Sequence, residues 1–480
     1  MMRFDWRSLV VSSMMVGALA AHAGTRPQYG GTVQVAMRDA FASLDPAEMV
    51  PADIIPASPA QSDSFARRSL TMLMFDTLVN MDENGQVHAS LATSWQSSPS
   101  NQQGNQRWQL RIRRGVKFQD GTLLSAEAVA ASLRTANPAW NVSAEGDSVV
   151  IELGGTDPEL LAELALARNA IVKRNAGSIP SGTGPFHVAD WQPGKKLELE
   201  ADENCWRGRP FLDSIEIEMG KSFREQMTAL ELGKADVVEV APEQTHLFSQ
   251  NQFSQNQDAQ AGRRLASSAP VELLALVFAH DAASPDEKLL RDALALSVER
   301  RSIKSVLLQG AGQPAASILP NWMSGYGFVF PVGADLARAR QGRGQVHAVP
   351  TWTIGYSDAD PVDRLLAERI ALNAKDAGLS LQPTAASTAD LRVVRIPLAS
   401  TDPWIALGSV ATLAGTSAEK KRGSVEELYA AEMALLATQR VIPLFHLPVS
   451  YAATERLRNW ALRPDGSWTL ADTWLETAKP

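Results

Sequence analysis

Seven histidines and one cysteine are among the side chains through which this chain could hold a transition metal or attack a substrate. His22, His88, His187, His246, His280, His347 and His446 lie too far apart for a local ligand motif, and one cysteine excludes a Cys-rich metal site. Cys205 reads as a small buried core residue rather than a nucleophile. Gly310-Ala-Gly-Gln-Pro-Ala315 matches GxGxxA by letter, but it follows a helix pattern rather than a strand. Pro314 also stands where a phosphate-cradling helix should offer an N–H. Gly220-Lys221-Ser222 has the ending of a P-loop, yet Ile215 occupies the place of its first glycine. Neither GxSxG nor HExxH occurs, so acyl transfer and metal-assisted hydrolysis lack their machinery. No cofactor and no metal are expected, and an exported hydrolase is the remote alternative.

Composition narrows the class further. The 480 residues suggest two or three domains at about 150 residues each. Apolar residues make up 45% and charged residues 20%, enough for a large core. The net charge is −8 with no block of like charge, so neither nucleic acid nor an anionic membrane surface is indicated as partner. Arg3 and Arg7 precede a small, apolar stretch from Ser8 to Ala21, and Ala21-His22-Ala23 offers a small-x-small cleavage site. That layout predicts a signal peptide over residues 1–23, removed near Ala23. Some 14 apolar residues fall short of the roughly 20 that a spanning helix needs. No cysteine follows the stretch, so no lipid anchor is expected. The product is an exported protein, expected monomeric, with no access to cytoplasmic ATP or NAD.

The elements alternate between the two periods. Thr32 to Met37 alternates as a strand, and residues 67–80 read as an amphipathic helix. Strands are expected at Ser94–Gln96, Arg107–Ile112, Val149–Leu153, Lys196–Glu200, Ser214–Met219, Val237–Val240 and, fully buried, Val271–Phe278. Helices are expected from Ser125 to about Arg134, at Pro158–Ala167, at Phe223–Leu232 ending at Gly233, and at Glu287–Glu299, Pro361–Ala377 and Val425–Gln439. The polar run Ser249–Asp258 reads as an exposed connector. Strands mixed with helices, and no repeat of fixed period, give an α/β chain of several lobes.

Four stretches resemble the family 5 extracellular solute-binding proteins, the dipeptide, oligopeptide and nickel receptors of ABC importers. They are Trp108 to Thr122 continuing through Leu133, Gly182-Thr-Gly-Pro-Phe186 followed by Asn204 to Ile217, Ala229 to Asp236, and Leu290 to Arg300 with Gly310 to Ala315. Cys205 departs from the pattern, since the family has Tyr before that tryptophan. Asp120 and Gly121 suit a tight turn, Gly182 and Gly184 a sharp reversal before Pro185, and Trp191 and Trp206 are read as core anchors. The resemblance implies a two-lobed periplasmic-binding-protein-like fold of type II, enlarged with an extra subdomain, with mixed sheets and a cleft between the lobes. The first lobe would comprise residues 24–66, an inserted subdomain at 67–178, then 179–265 and a return at 440–480. The second lobe would be 266–439, with hinges near 266–272 and 438–443. It implies capture of a small, peptide-like solute outside the cytoplasmic membrane and delivery to ABC permease transmembrane subunits, the protein being periplasmic. A receptor of this fold used for sensing or chaperoning is the alternative.

Peptide receptors of this family anchor the ligand ammonium with an acid in a W-x-x-D-x-x-D-P stretch. The matching stretch here is Arg395 to Pro403, which keeps Asp402-Pro403 but has Ala399 in the acid's place, with the tryptophan displaced to Trp404. A buried ammonium without that carboxylate would lack its partner. Expected cleft contacts are Phe41, Ser43 and Asp45 after the first strand, faced by Trp322, Arg395, Asp402 and Trp404. Aromatic walls, one cation and one or two carboxylates suit a modified or N-blocked peptide, or a polar amphipathic metabolite.

Overall fold

The computed structural model describes residues 26–49, 63–82, 84–99, 106–155, 157–174, 179–250, 262–327, 329–358, 360–398, 400–416 and 423–476. The expected signal peptide, most of the polar connector and Ala399 lie outside them. One mixed sheet of eleven strands runs through the molecule. At its centre Arg263–Phe278 pairs antiparallel with Leu391–Pro397 on one side and with Val441–Thr454 on the other. Parallel strands Thr351–Gly355 and Ser380–Thr384 extend the sheet beyond Leu391–Pro397. Beyond Val441–Thr454 come Val237–Val240, Thr32–Ala36, Ser214–Glu218, Lys196–Ala201 and Phe186–Gln192.

The buried-strand expectation at 271–278 has a direct structural counterpart. Leu274, Leu276 and Phe278 enter one apolar core of the second lobe, while Leu273, Ala275 and Val277 enter the core on the opposite face. Both faces are covered, so the strand reads as an unbroken apolar run rather than an alternating one. Its partner divides along its length. Ile442, Leu444, Phe445 and Leu447 pack in the second lobe, whereas Tyr451 and Ala453 pack with Val33, Ile215 and Trp468 in the first. Register shifts between Ser267 and Glu272 fall opposite Leu447 to Ser450. On the return strand the side chains therefore pass from the second-lobe core to the first-lobe core between Leu447 and Tyr451.

The inserted segment has a core of its own. A four-stranded antiparallel sheet is ordered Ala92–Pro99, Gln106–Ile112, Ser148–Leu153, Asn141–Glu145. Leu110, Val149 and Ile151 meet Val129 and Leu133 of the helix Ala126–Ala136, whose Ser125 cap accepts from Ala128 N.

Two local expectations change. The helix expected over 67–80 is Phe65–Met74, capped by Ser64, and the chain then turns extended at Phe75. Asp76 explains the break, because its buried carboxylate accepts from Thr183 Oγ1 and Trp206 Nε1, each at 2.9 Å, and pairs with Arg207 at 2.8 Å. Continuing the helix would withdraw it from all three. Trp206 is thus a half-buried structural anchor beneath Arg113. Gly182 and Gly184 are required by contact, not by turn geometry. A Cβ on Gly182 would overlap Met74 O, and Gly184 N donates to that same carbonyl at 3.0 Å. Gly121, by contrast, does adopt φ +83°, with Asp120 Oδ1 accepting from Thr122 N at 3.0 Å.

Candidate functional site

The seven expected contact residues do not converge. Phe41 is a core residue, 1% exposed, with the Arg67 guanidinium 5.6 Å from its ring centroid. Ser43 Oγ accepts from Asp45 N at 3.2 Å. Asp45 caps the short turn Pro46–Glu48 and receives two bonds from Arg174, at 2.5 and 2.6 Å. Asp402 is buried and caps the helix Pro403–Leu413, accepting from Trp404 N at 2.9 Å and Ile405 N at 3.3 Å. Trp404 is half-buried against the second-lobe core. Trp322 is 41% exposed and donates from Nε1 to Pro270 O at 2.9 Å, lying over the hinge. Arg395 sits in a carboxylate cluster.

That cluster is the first of two regions where the lobes meet. Arg395 reaches Asp363 at 3.2 Å, Asp360 at 3.4 Å and Glu272 at 3.6 Å. Arg38, just past the first strand, crosses from the first lobe to Asp360 at 3.4 Å. Asp360 caps the helix Pro361–Asp376, which places Asp363 in its first turn beside it. Burial dominates the titration here and pushes the Asp363 carboxyl up to about 6, with Asp360 adding to the rise and Arg395 opposing it. Burial also raises Glu272 and Glu243, and it raises Glu239 to about 7, helped by the charge of Asp39.

The second region is a cavity of about 480 Å³. Arg68 and Met72 of the helix Phe65–Met74 form one wall, and Asn80, Met81 and Asp82 with Ala162 to Ala167 form another. Ser400 and Thr401 close it from the second lobe, and Arg463 with Asp465 closes it from the C-terminal segment. Its size falls in the range of roughly 300–1,000 Å³ usual for small-molecule sites. Arg68 is held by Asp63 at 2.6 and 3.1 Å and donates across to Leu398 O at 3.2 Å. Asp82 is occupied by Asn84 N, Gln86 N and His88. The Arg463 guanidinium and the Asn80 amide nitrogen make no hydrogen bond among the described residues.

None of the seven expected residues lines this cavity, although Ser400 and Thr401 directly precede Asp402. The Arg67-Arg68 pair was a usable signal, being two cations on a helix whose other positions are almost all buried. Asn80, Arg463 and Asp363 carried no pattern of their own. Cys205 is buried, and that burial pushes its thiol up, leaving it unreactive. Among the described residues no group of three or more His, Cys, Asp or Glu is placed to hold a metal, and no helix is long and apolar enough to cross a membrane.

Known proteins share this architecture. The nickel-binding protein NikA of Staphylococcus aureus is 24% identical over 256 residues, 50% of this chain and 49% of that protein. The chain thus spans about half the length of that curated relative in the alignment. DppA from Helicobacter pylori, solved with the peptide STSA, superposes with a TM-score of 0.76 at 17% identity, covering 94% of this chain and 99% of that one. AgaA from A. tumefaciens R10, solved with agropinic acid, gives 0.75 at 17% identity over 94% and 99%. The model of the bacterial extracellular solute-binding proteins, family 5 Middle, matches residues 86–402. With well over half of its sequence so matched, the chain belongs to the bacterial extracellular solute-binding proteins of family 5.

Proposed function

We propose that this protein is the periplasmic solute receptor of an ABC importer, exported by a signal peptide cleaved near Ala23, and that it returns its solute chemically unchanged to the permease. The observation that carries this is the cavity walled by both lobes, with Ser400 and Thr401 on one side and Arg68 and Asn80 on the other. A solute there touches both lobes and so favours the closed state, which is how hinge closure stores specificity. NikA, DppA and AgaA bind nickel, a peptide and agropinic acid, so the fold accommodates cargo from peptides to metal complexes. The cavity of this chain suits a peptide-like or other small polar solute. Unspent donors on Arg463 and Asn80 support an acceptor-rich cargo, and Asp402, committed to capping its helix, is not proposed as an ammonium anchor.

A thermal-shift panel of free peptides, blocked peptides, sugars and metal chelates tests this on the purified protein. At least one class should raise Tm in proportion to ligand concentration, and mass spectrometry should recover that compound intact. Conversion of the compound to products would contradict the receptor assignment.

A further inference from the structure

We propose that Arg38 and Asp360 form the closing latch of the cleft, and that closing it takes up a proton onto the carboxylates gathered behind them. The inference rests on the two-lobed receptor assignment above. Among the described residues, Arg38–Asp360 is the ion pair that joins the lobes. Arg38 is held for it by Glu239, which accepts from its backbone N–H at 2.6 Å, and by the Phe223 ring 4.5 Å from its guanidinium.

The charges facing this point do not balance. The first lobe brings Arg38, Asp39, Glu239 and Glu243, and the second brings Asp360, Asp363 and Arg395. The hinge strands add Glu272 and Tyr451, the latter a neutral phenol held well above its ordinary value by burial. Arg38 and Arg395 alone thus face Glu243, Glu272, Asp360 and Asp363, four carboxylates against two cations. Side-chain exposure is 7% for Asp360, 8% for Asp363 and 18% for Glu272, so little water reaches these carboxylates, while the Arg38 end of the latch is 35% exposed. Opening the lobes rehydrates the cluster, and a carboxyl returned to water regains an ordinary affinity for protons. Rehydration of Asp363 lowers its carboxyl from about 6 in the direction of its ordinary 3.8. The closed form therefore binds more protons between these values, and acid favours closure. Asp39 and Glu239 lie together on the first lobe, and their mutual repulsion is present whether the cleft is open or shut.

The test uses the full chain without solute, labelled at exposed Lys234→Cys on the first lobe and Lys375→Cys on the second, and reads inter-lobe distances by pulsed electron resonance. From pH 7.5 to 5.5 the closed-to-open ratio should rise, by up to about four-fold for one carboxyl shifted as Asp363 is. Asp363→Asn should flatten that profile while keeping a closed population. Arg38→Gln should deplete the closed population at both pH values, and Arg38→Lys should restore part of it, with circular dichroism confirming that each variant is folded. A wild-type distribution that moves with a stabilising solute but not with pH would overturn the latch alone. A distribution that moves with neither would overturn hinge closure with it.

Discussion

The cavity and the hinge cluster both lie where the two lobes meet, and they differ in what has been left unspent. Beside the cavity Asp63 is taken up by Arg68, and within it Asp82 by His88 and backbone N–H groups, while the Arg463 guanidinium and the Asn80 amide nitrogen make no hydrogen bond among the described residues. In the cluster, Arg395 is shared among three carboxylates and the surplus is negative. A surface that must recognise something keeps open hydrogen-bonding capacity. A joint that must hold two bodies together spends most of it internally, although the buried Nε of Arg395 is left without a partner among the described residues. Substitutions in the cluster should therefore change stability and closure, and substitutions in the cavity should change binding alone.

Arg395→Met gives the largest expected effect. It strands Glu272, Asp360 and Asp363 without their shared cation, and removal of one partner from a buried pair costs about 3–5 kcal/mol. Urea unfolding should show that loss, and a change under 1 kcal/mol would mean the cluster is hydrated. Thr401→Trp is the counterpart in the cavity. The indole should fill the space and abolish the thermal shift given by any stabilising solute, with intrinsic stability altered by no more than about 0.5 kcal/mol. An intact solute response would place the solute elsewhere.

Smaller effects sharpen the same contrast. Asp402→Ala removes a helix cap, costing about 1 kcal/mol of stability, and should leave relative affinity for cationic and neutral solutes unchanged. A selective loss of cationic solutes would return Asp402 to the cleft. A further effect is in the pH profile of stability. Asp363 is raised in the folded state, so its contribution is fully present below 3.8 and is lost as pH rises through about 6. His446, buried against Ile318 O and lowered to about 4 from 6.5, acts oppositely, and its neutral form gains stability as pH rises between those values. Asp363→Asn removes the falling contribution, so stability should climb more steeply from pH 4 to 6 than in the native protein. An unchanged slope in urea titrations would refute the assignment to Asp363.

The fold was legible wherever a pattern repeats locally. The unbroken run Val271–Phe278 announced a strand covered on both faces, and Ser125 announced its helix by capping chemistry. The break after Met74 was not legible, because it depends on Asp76 meeting Thr183 and Trp206 more than a hundred residues away. The site was less legible still. Asp45-Pro46 and Asp402-Pro403 have the look of cleft residues and act as caps, since an Asx-Pro start serves a turn or helix whatever lies nearby. Asp360-Pro361 has the same local form and also caps a helix, yet its second oxygen meets Arg38 across the cleft. What sets Asp45 and Asp360 apart is the guanidinium that the fold delivers to each, Arg174 for the one and Arg38 for the other, a property of the tertiary structure alone.

Small-angle scattering of the purified chain, with and without a saturating amount of the compound that stabilises it most, tests solute capture by closure most directly. The radius of gyration should be smaller in the bound state, as the walls carrying Asn80 and Thr401 draw together around the solute. An unchanged radius at saturation would contradict it.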